Sequence, residues 1–424
     1  MPPVSPIPIT PLNGPVFLLA LMVLVSIWAT YDLAVSLPKI SGMVLGIGVF
    51  FGVAREGKRL PGWWLSFLVF LGAGAGIAAL SLVGTNWNTS KFGFLNHILA
   101  GFPTLFTGLA GVKSGFNPNE VAGALTWVLP VLVSLSVYLL LPGRKQAASP
   151  SPGGRLVIPA GGWRLWGLRA LVWLGTLFVG LVFGLTQSRS GYLGLVITLL
   201  VLFLGVLLLR WRWIFFGVAA ILSLGVAVFW RQGGLQAIQG WLAGGGLNTG
   251  NGFSINSMEG RIEIWSRAIY GLQDYSFTGM GMNIFREVVP GLYPLFLAPL
   301  DVDIDVGHAH NEFLQAGLDL GIPGMVALIG VYIIAFWLLA EMGYRFYRVQ
   351  RRVDRLGLAL VVGLGGGLLA HLIYGLLDAV ALGAKPGILF WMLLGLISAL
   401  YSHTGQPHLT EAALGTKSGA QGMG

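Results

Sequence analysis

The chain contains no cysteine. Disulfides, thiolate nucleophiles and iron–sulfur ligation are therefore excluded. It is also poor in charge: 10% of its 424 residues are Asp, Glu, Lys or Arg, where a soluble protein carries about 25%. So little polar surface cannot cover a globule in water. The first 13 residues hold no Lys or Arg. A secretory leader with a basic n-region is not expected there, and the first apolar run is expected to remain as a span.

What is present is apolar. Hydrophobic residues make up 55% and the mean hydropathy is +0.79. The expected class is an all-α polytopic membrane protein, because lipid offers no partner to free backbone groups. A crossing helix needs about 20 apolar residues. By that rule spans fall near 14–30, 37–54, 62–84, 121–141, 166–185, 191–209, 213–230, 323–343, 356–378 and 387–402, about ten in all. The net charge of +9 then reports topology, not nucleic-acid binding. With a cytoplasmic N-terminus, 16 of the 25 Lys and Arg residues fall in inside loops or at their edges. Both termini are accordingly expected in the cytoplasm.

The expected organisation is an N-terminal bundle (1–230), a large external loop (231–322), three C-terminal spans (323–402) and a disordered tail (403–424). Residues 142–159 have linker composition. The segment 94–110 is apolar but too short and too broken by Gly and Pro to span. A loop of some 90 residues points to function. Within it, Ile262, Trp265, Ile269 and Leu272 predict an amphipathic helix over 257–272. A short helix is predicted from His310 to Leu320, ended by Gly321 and restarted at Pro323.

Arg189 stands in Thr-Gln-Ser-Arg-Ser-Gly between two spans with almost no loop. One reading is a snorkelling helix-end arginine. The other is a fixed guanidinium aimed at an anion, since its planar fork matches phosphate oxygens. The hydroxyls of Ser188 and Ser190 add donors beside it. Arg261 has no acidic residue four positions on and is a candidate anion ligand. Arg267 has Glu263 one turn back and is expected to pair with it.

His308 and His310 close the loop. An ordinary histidine titrates near pH 6.5, which suits proton transfer. A hydrogen-bonded loop histidine is the plainer reading. Asp301, Asp303, Asp305 and Glu312 have calcium-loop spacing, but Val306 stands where the sharp turn needs glycine, so no metal is expected. His371 and Asp378 lie seven apart on one helix face. Asp378 is near the outer end and suited to the site, whereas His371 is placed to bridge helices. Gly279-Met-Gly281 reads as a turn.

These residues resemble the O-antigen ligase and Wzy-type polymerase superfamily of bacterial membrane glycosyltransferases. His310-Asn311 followed after nine residues by Gly321-Ile-Pro-Gly324 fits the ligases' H-[NSQ]-x9-G-x-x-G signature. Gln187-Ser188-Arg189-Ser190-Gly191 resembles their short outer Ser-Arg-Gly turn. Gly260-Arg261 with Trp265, then Gly279-Met-Gly281, resembles the opening of their large periplasmic loop. Phe116-Asn-Pro-Asn-Glu120 resembles a segment common in their N-terminal half. The resemblance implies transfer of a glycan from a polyprenyl diphosphate to an acceptor hydroxyl outside the cytoplasmic membrane of a bacterium, without metal or cofactor. It implies His310 as base, Arg189 and Arg261 as diphosphate ligands, and Asn311, His308 and Asp378 in support. Trp265, Tyr270, Tyr275 and Tyr293 become candidates for stacking on sugars. The acceptor stays open between glycolipid, glycan and protein, and the ligase-like reading is preferred to polymerase. The rival class is a small-anion transporter, for which His371 beside Gly365–Gly367 is the only mid-span candidate.

Overall fold

The computed structural model describes residues 8–85, 87, 115–141, 163–233, 258–296, 306–349 and 354–404. It is all-α, with an isolated bridge between Thr85 and Phe116 and no sheet among these residues. Among the described residues ten apolar helices form the bundle: α1 (Asn13–Ala29), α2 (Leu33–Glu56), α3 (Leu60–Gly84), α4 (Pro118–Leu140), α5 (Trp163–Leu185), α6 (Arg189–Arg210), α7 (Arg212–Arg231), α10 (Glu312–Tyr344), α11 (Arg355–Leu377) and α12 (Ile388–Thr404). Two further helices, α8 (Met258–Asp274) and α9 (Phe285–Leu292), precede α10. Nine of the described helices are long and apolar enough to cross a membrane, and α1, at 17 residues, is slightly shorter. The protein is a multi-pass membrane protein. The expected segments 94–110, 142–159, Asp301–Asp305 and the tail beyond 404 lie outside the described residues.

α4 is the central helix, buried along most of its length. It packs most extensively against α11. Glycine makes that approach possible, as small residues do between membrane helices. A Cβ at Gly363 would stand 3.0 Å from Val131 Cα, and one at Gly367 would overlap the carbonyl of Trp127. The glycines beside His371 thus form a packing surface inside an unbroken helix. At the rim, α7 has no buried residue. An apolar helix exposed all round is suited to lipid.

Contacts gather one set of helix ends together. Met282 N–H donates to Ser26 Oγ near the end of α1 (2.9 Å), and Asn283 Nδ2 to the Val35 carbonyl at the start of α2 (3.3 Å). Tyr374 near the end of α11 donates to the Asn119 carbonyl at the start of α4 (2.8 Å). α8 and α9 sit at this same end, over their own small core that includes Ile264, Phe285 and Val289.

α8 matches the predicted helix, but its inward face is displaced. Ile262 and Ile269 are exposed, while Arg261, Ile264 and Ala268 are buried. The apolar stripe gives way because charged side chains are turned inward and paired there. Arg267 lies 3.6 Å from Glu263 as expected, and its guanidinium also covers the ring of Phe296 at 4.3 Å.

α10 breaks where the sequence says. Gly321 takes φ 70°, ψ 176° inside it. The kink is laced to the Gly279–Gly281 turn: Ile322 N–H donates to the Ser276 carbonyl and Met280 N–H to that of Leu318, both at 2.7 Å. Gly279 also has positive φ, and the two backbones touch with no room for a side chain. A Cβ at Gly321 would overlap the Phe277 carbonyl. Gly321→Ala is expected to cost about 2–3 kcal/mol through strain and displacement of the turn. A thermal unfolding midpoint in detergent equal to that of the parent would refute this.

Candidate active site

Asp378 is the C-cap of α11, at its end, and is almost fully buried. Three side chains from distant parts of the chain, and one backbone N–H of its own turn, meet it. His310 Nδ1 lies 3.2 Å from its Oδ1. His308 Nε2 lies 3.7 Å from the same oxygen, and Arg261 3.6 Å from Oδ2. The N–H of Ala379 donates to Oδ1 at 3.0 Å. Burial by itself would raise the pKa of this carboxyl. The hydrogen bond from His310 and the charges around it outweigh burial and hold Asp378 below the usual carboxylate range.

The tautomers follow from who can donate. An ionised carboxylate only accepts, so His310 carries its proton on Nδ1, and its Nε2 lone pair is left for other work. His308 Nδ1 accepts the backbone N–H of His310 at 3.1 Å, so the His308 proton sits on Nε2. Burial first, then the neighbouring His310, push the pKa of His308 down to about 3. His308 is neutral at physiological pH.

The turn that carries the histidines is over-determined. His310 has φ 47°, a left-handed conformation that costs a non-glycine residue about 1–3 kcal/mol. The other described non-glycine residues with positive φ are Gln187, two residues before Arg189, and Asn283. Asn311 caps α10, its Oδ1 accepting from Phe313 and Leu314 N–H while its Nδ2 donates to the Leu376 carbonyl. Trp265 donates from Nε1 to the His310 carbonyl at 3.3 Å. Two supports had no sequence signal. Gln315 Oε1 accepts from Ala309 N–H at 2.8 Å, and its Nε2 donates to Asp319 Oδ1 at 2.9 Å. Asp319 in turn accepts from Asn283 N–H at 3.1 Å. One buried chain of hydrogen bonds thus ties the histidine turn to the Gly279–Gly281 turn.

The structure brings Arg261, Trp265, His308, His310, Asn311 and Asp378 together. Arg189, first residue of α6, lies close enough to Arg261 for their charges to act on one another. Ser188 is the N-cap of α6, accepting from Gly191 N–H at 3.3 Å, with Ser190 Oγ 3.5 Å from its own. These hydroxyls build the turn that presents Arg189. Lys39 and Arg261 both act on His308, and the sequence reading did not single Lys39 out. Tyr270 and Tyr275 are exposed. Tyr293 is buried in the loop core and donates to Asp274 Oδ2 at 2.7 Å. The buried Nε of Arg261 has no hydrogen-bond partner among the described residues.

His308, His310 and Asp378 also offer three ligand atoms within 4.8 Å of one another. A cation there would face Arg261 at the same carboxylate. The donor set suits a metal, but the guanidinium beside it makes the site fit an anion better.

Residues 170–329 match the protein-family model Wzy_C, described as O-antigen ligase. The matched stretch includes Arg189, Arg261, His308 and His310 and stops short of Asp378. No curated protein matches the chain.

His308 makes stability depend on pH. Its folded pKa of about 3 lies below the ordinary 6.5, so between those values the unfolded chain binds a proton that the folded one refuses. Stability is therefore full above pH 6.5 and falls as pH drops toward 3. His308→Gln is expected to flatten the decline in thermal midpoint between pH 6.5 and 4. Parallel declines in variant and parent would count against it.

Proposed function

We propose, from the premise that the chain carries an O-antigen ligase (Wzy_C) family domain over residues 170–329, that it moves a glycan from a polyprenyl diphosphate to an acceptor hydroxyl. In this reading the chain is an O-antigen-ligase-like membrane enzyme. The finer reading rests on one observation: the His310–Asp378 contact of 3.2 Å with Arg261 3.6 Å from the other carboxylate oxygen. A base, its orienting acid and an anion ligand stand side by side at the helix ends.

In this reading the acceptor hydroxyl approaches Nε2 of His310. Its oxygen attacks the anomeric carbon as the bond from that carbon to the diphosphate oxygen breaks. The hydroxyl proton passes to Nε2. The electron pair of the broken bond leaves with the diphosphate, whose charge Arg189 and Arg261 neutralise. A single displacement of this kind inverts the anomeric centre and needs no metal. Asp378 holds the imidazole in the tautomer with Nε2 open and stabilises the imidazolium that forms. Trp265, fixed by its bond to the His310 carbonyl, offers a face to a sugar.

The site faces the outside of the cytoplasmic membrane in this proposal, with both termini inside. The basic residues between helices support that orientation. Donor and acceptor are lipid-linked, so a site at the helix ends meets both at headgroup level. The preferred product is a glycan ligated to a glycolipid. Polymerisation onto a second repeat unit uses the same chemistry.

Purified protein in detergent, given an undecaprenyl-diphosphate-linked glycan and candidate acceptors, should release undecaprenyl diphosphate. His310→Ala is expected to lower kcat by about 100-fold or more, within the usual range for a general base. Asp378→Asn should lower kcat with little change in donor KM, and Arg261→Ala should impair both. Full turnover in His310→Ala would end the proposal, and turnover lost on chelation would favour a metal at the histidines.

A further inference from the structure

A second polar layer lies beneath the dyad. Glu312 and His371 are 2% and 0% exposed and face each other with Oε2 and Nε2 at 3.1 Å. The contact lies off the line a hydrogen bond requires, since His371 Nε2 has no hydrogen-bond partner. His371 is held on its other side by Nδ1, 3.1 Å from both Thr126 Oγ1 and the Gly123 carbonyl. Trp127 stacks on its ring at 3.9 Å. Tyr332 donates to Glu312 Oε2 at 3.5 Å. Gly375 is part of the fit: a Cβ there would overlap the Glu312 carboxylate.

The arrangement crosses the same two helices as the dyad, with acid and base exchanged. α11 contributes His371 below and Asp378 above. Glu312 opens α10, two residues after His310. Seven residues of helix separate His371 from Asp378, about 10 Å along the axis at 1.5 Å per residue. Stability does not account for such a pair, because apolar residues of similar volume hold buried sites as well or better. Fixing register is the best-attested use of a buried polar pair.

We propose that the Glu312–His371 pair is a positioning device that sets the register of α11 against the start of α10, and so the distance between His310 and Asp378. It rests on the dyad reading above. Neither residue touches substrate, and both act through the dyad.

The test replaces both partners, Glu312→Leu with His371→Leu, so that no charge is left unpaired. The thermal midpoint in detergent is expected to stay within a few degrees of the parent. The proton resonance of the His310 Nδ1–H bonded to Asp378, assigned by its loss in His310→Ala, is expected to shift or broaden. Transfer from an undecaprenyl-diphosphate-linked glycan is expected to fall about 10-fold or more in kcat, with donor KM within about twofold. In an Asp378→Asn background the leucine pair should cause little further fall, because residues acting through one another are non-additive. An unchanged resonance overturns the proposal, as does a collapsed thermal midpoint, which would make the pair a stability element. Transfer that survives His310→Ala would sink the dyad as catalyst, whereas the substrate-free resonance still decides the positioning.

Discussion

The site depends on one buried carboxylate. Asp378 sits at the C-terminal end of α11, where the helix dipole disfavours an anion, and it is 1% exposed, where desolvation disfavours it further. Neither term is tolerable without compensation. His310 and Arg261 supply it from one side, and the Ala379 N–H from its own turn. The same contacts that keep Asp378 ionised fix the tautomer of His310 and the position of Arg261. Stability and chemistry are thus served by one set of distances, so a conservative change at Asp378 disturbs three residues at once.

The electrostatic character follows from what is gathered. Arg189 comes from the start of α6, Arg261 from α8 and Lys39 from α2, set against Asp378 with His308 neutral. Lys39 also acts on Glu120 and Asp319, which leaves Arg189 and Arg261 as the pair of cations beside the histidine turn. The starts of α6 and α10 add the positive ends of two helix dipoles at the same level. Gathering cations at helix ends of a multi-pass protein has a cost, and the diphosphate of the proposed donor would offset it. That is the physical argument for the proposed donor, and it holds whichever sugar that donor carries.

The helices were legible because length and hydropathy suffice for them: the ten expected spans correspond to α1–α7 and α10–α12 within a few residues at most ends, and α10 extends back to Glu312. The break at Gly321 was legible because only glycine followed by Ile-Pro resets a helix there. His310, Arg261 and Asp378 were legible as ionisable residues where a membrane protein has few. Their mutual contact was not, since residues 261, 310 and 378 approach only after three elements pack. Gln315 and Asp319 gave no signal because an amphipathic helix start looks the same whether its polar side chains are solvated or tied to a turn. The Ile262–Ile269 stripe misled for the converse reason. Charges that find partners displace apolar residues from the inward face of a helix. Tyr293 shows the same limit for aromatics: its burial in the loop core and its bond to Asp274 could not be read from the sequence.

Strain and charge meet at the same place, and the proposed reaction gives both a use. His310 is held at φ 47° by the Asn311 cap, the Gln315 bond to Ala309 and the Trp265 bond to its own carbonyl. Its ring cannot follow a retreating proton donor, so its distance to Asp378 is set before substrate arrives. When His310 takes the acceptor proton, its new positive charge stands 3.2 Å from Asp378. Arg261 is then no longer the main counter-ion of that carboxylate, and its guanidinium is released toward the charge growing on the diphosphate. Proton uptake and leaving-group stabilisation become coupled through one carboxyl group, with no movement of a helix required. In the proposed reaction a looser turn would let His310 drift with its proton and break that coupling.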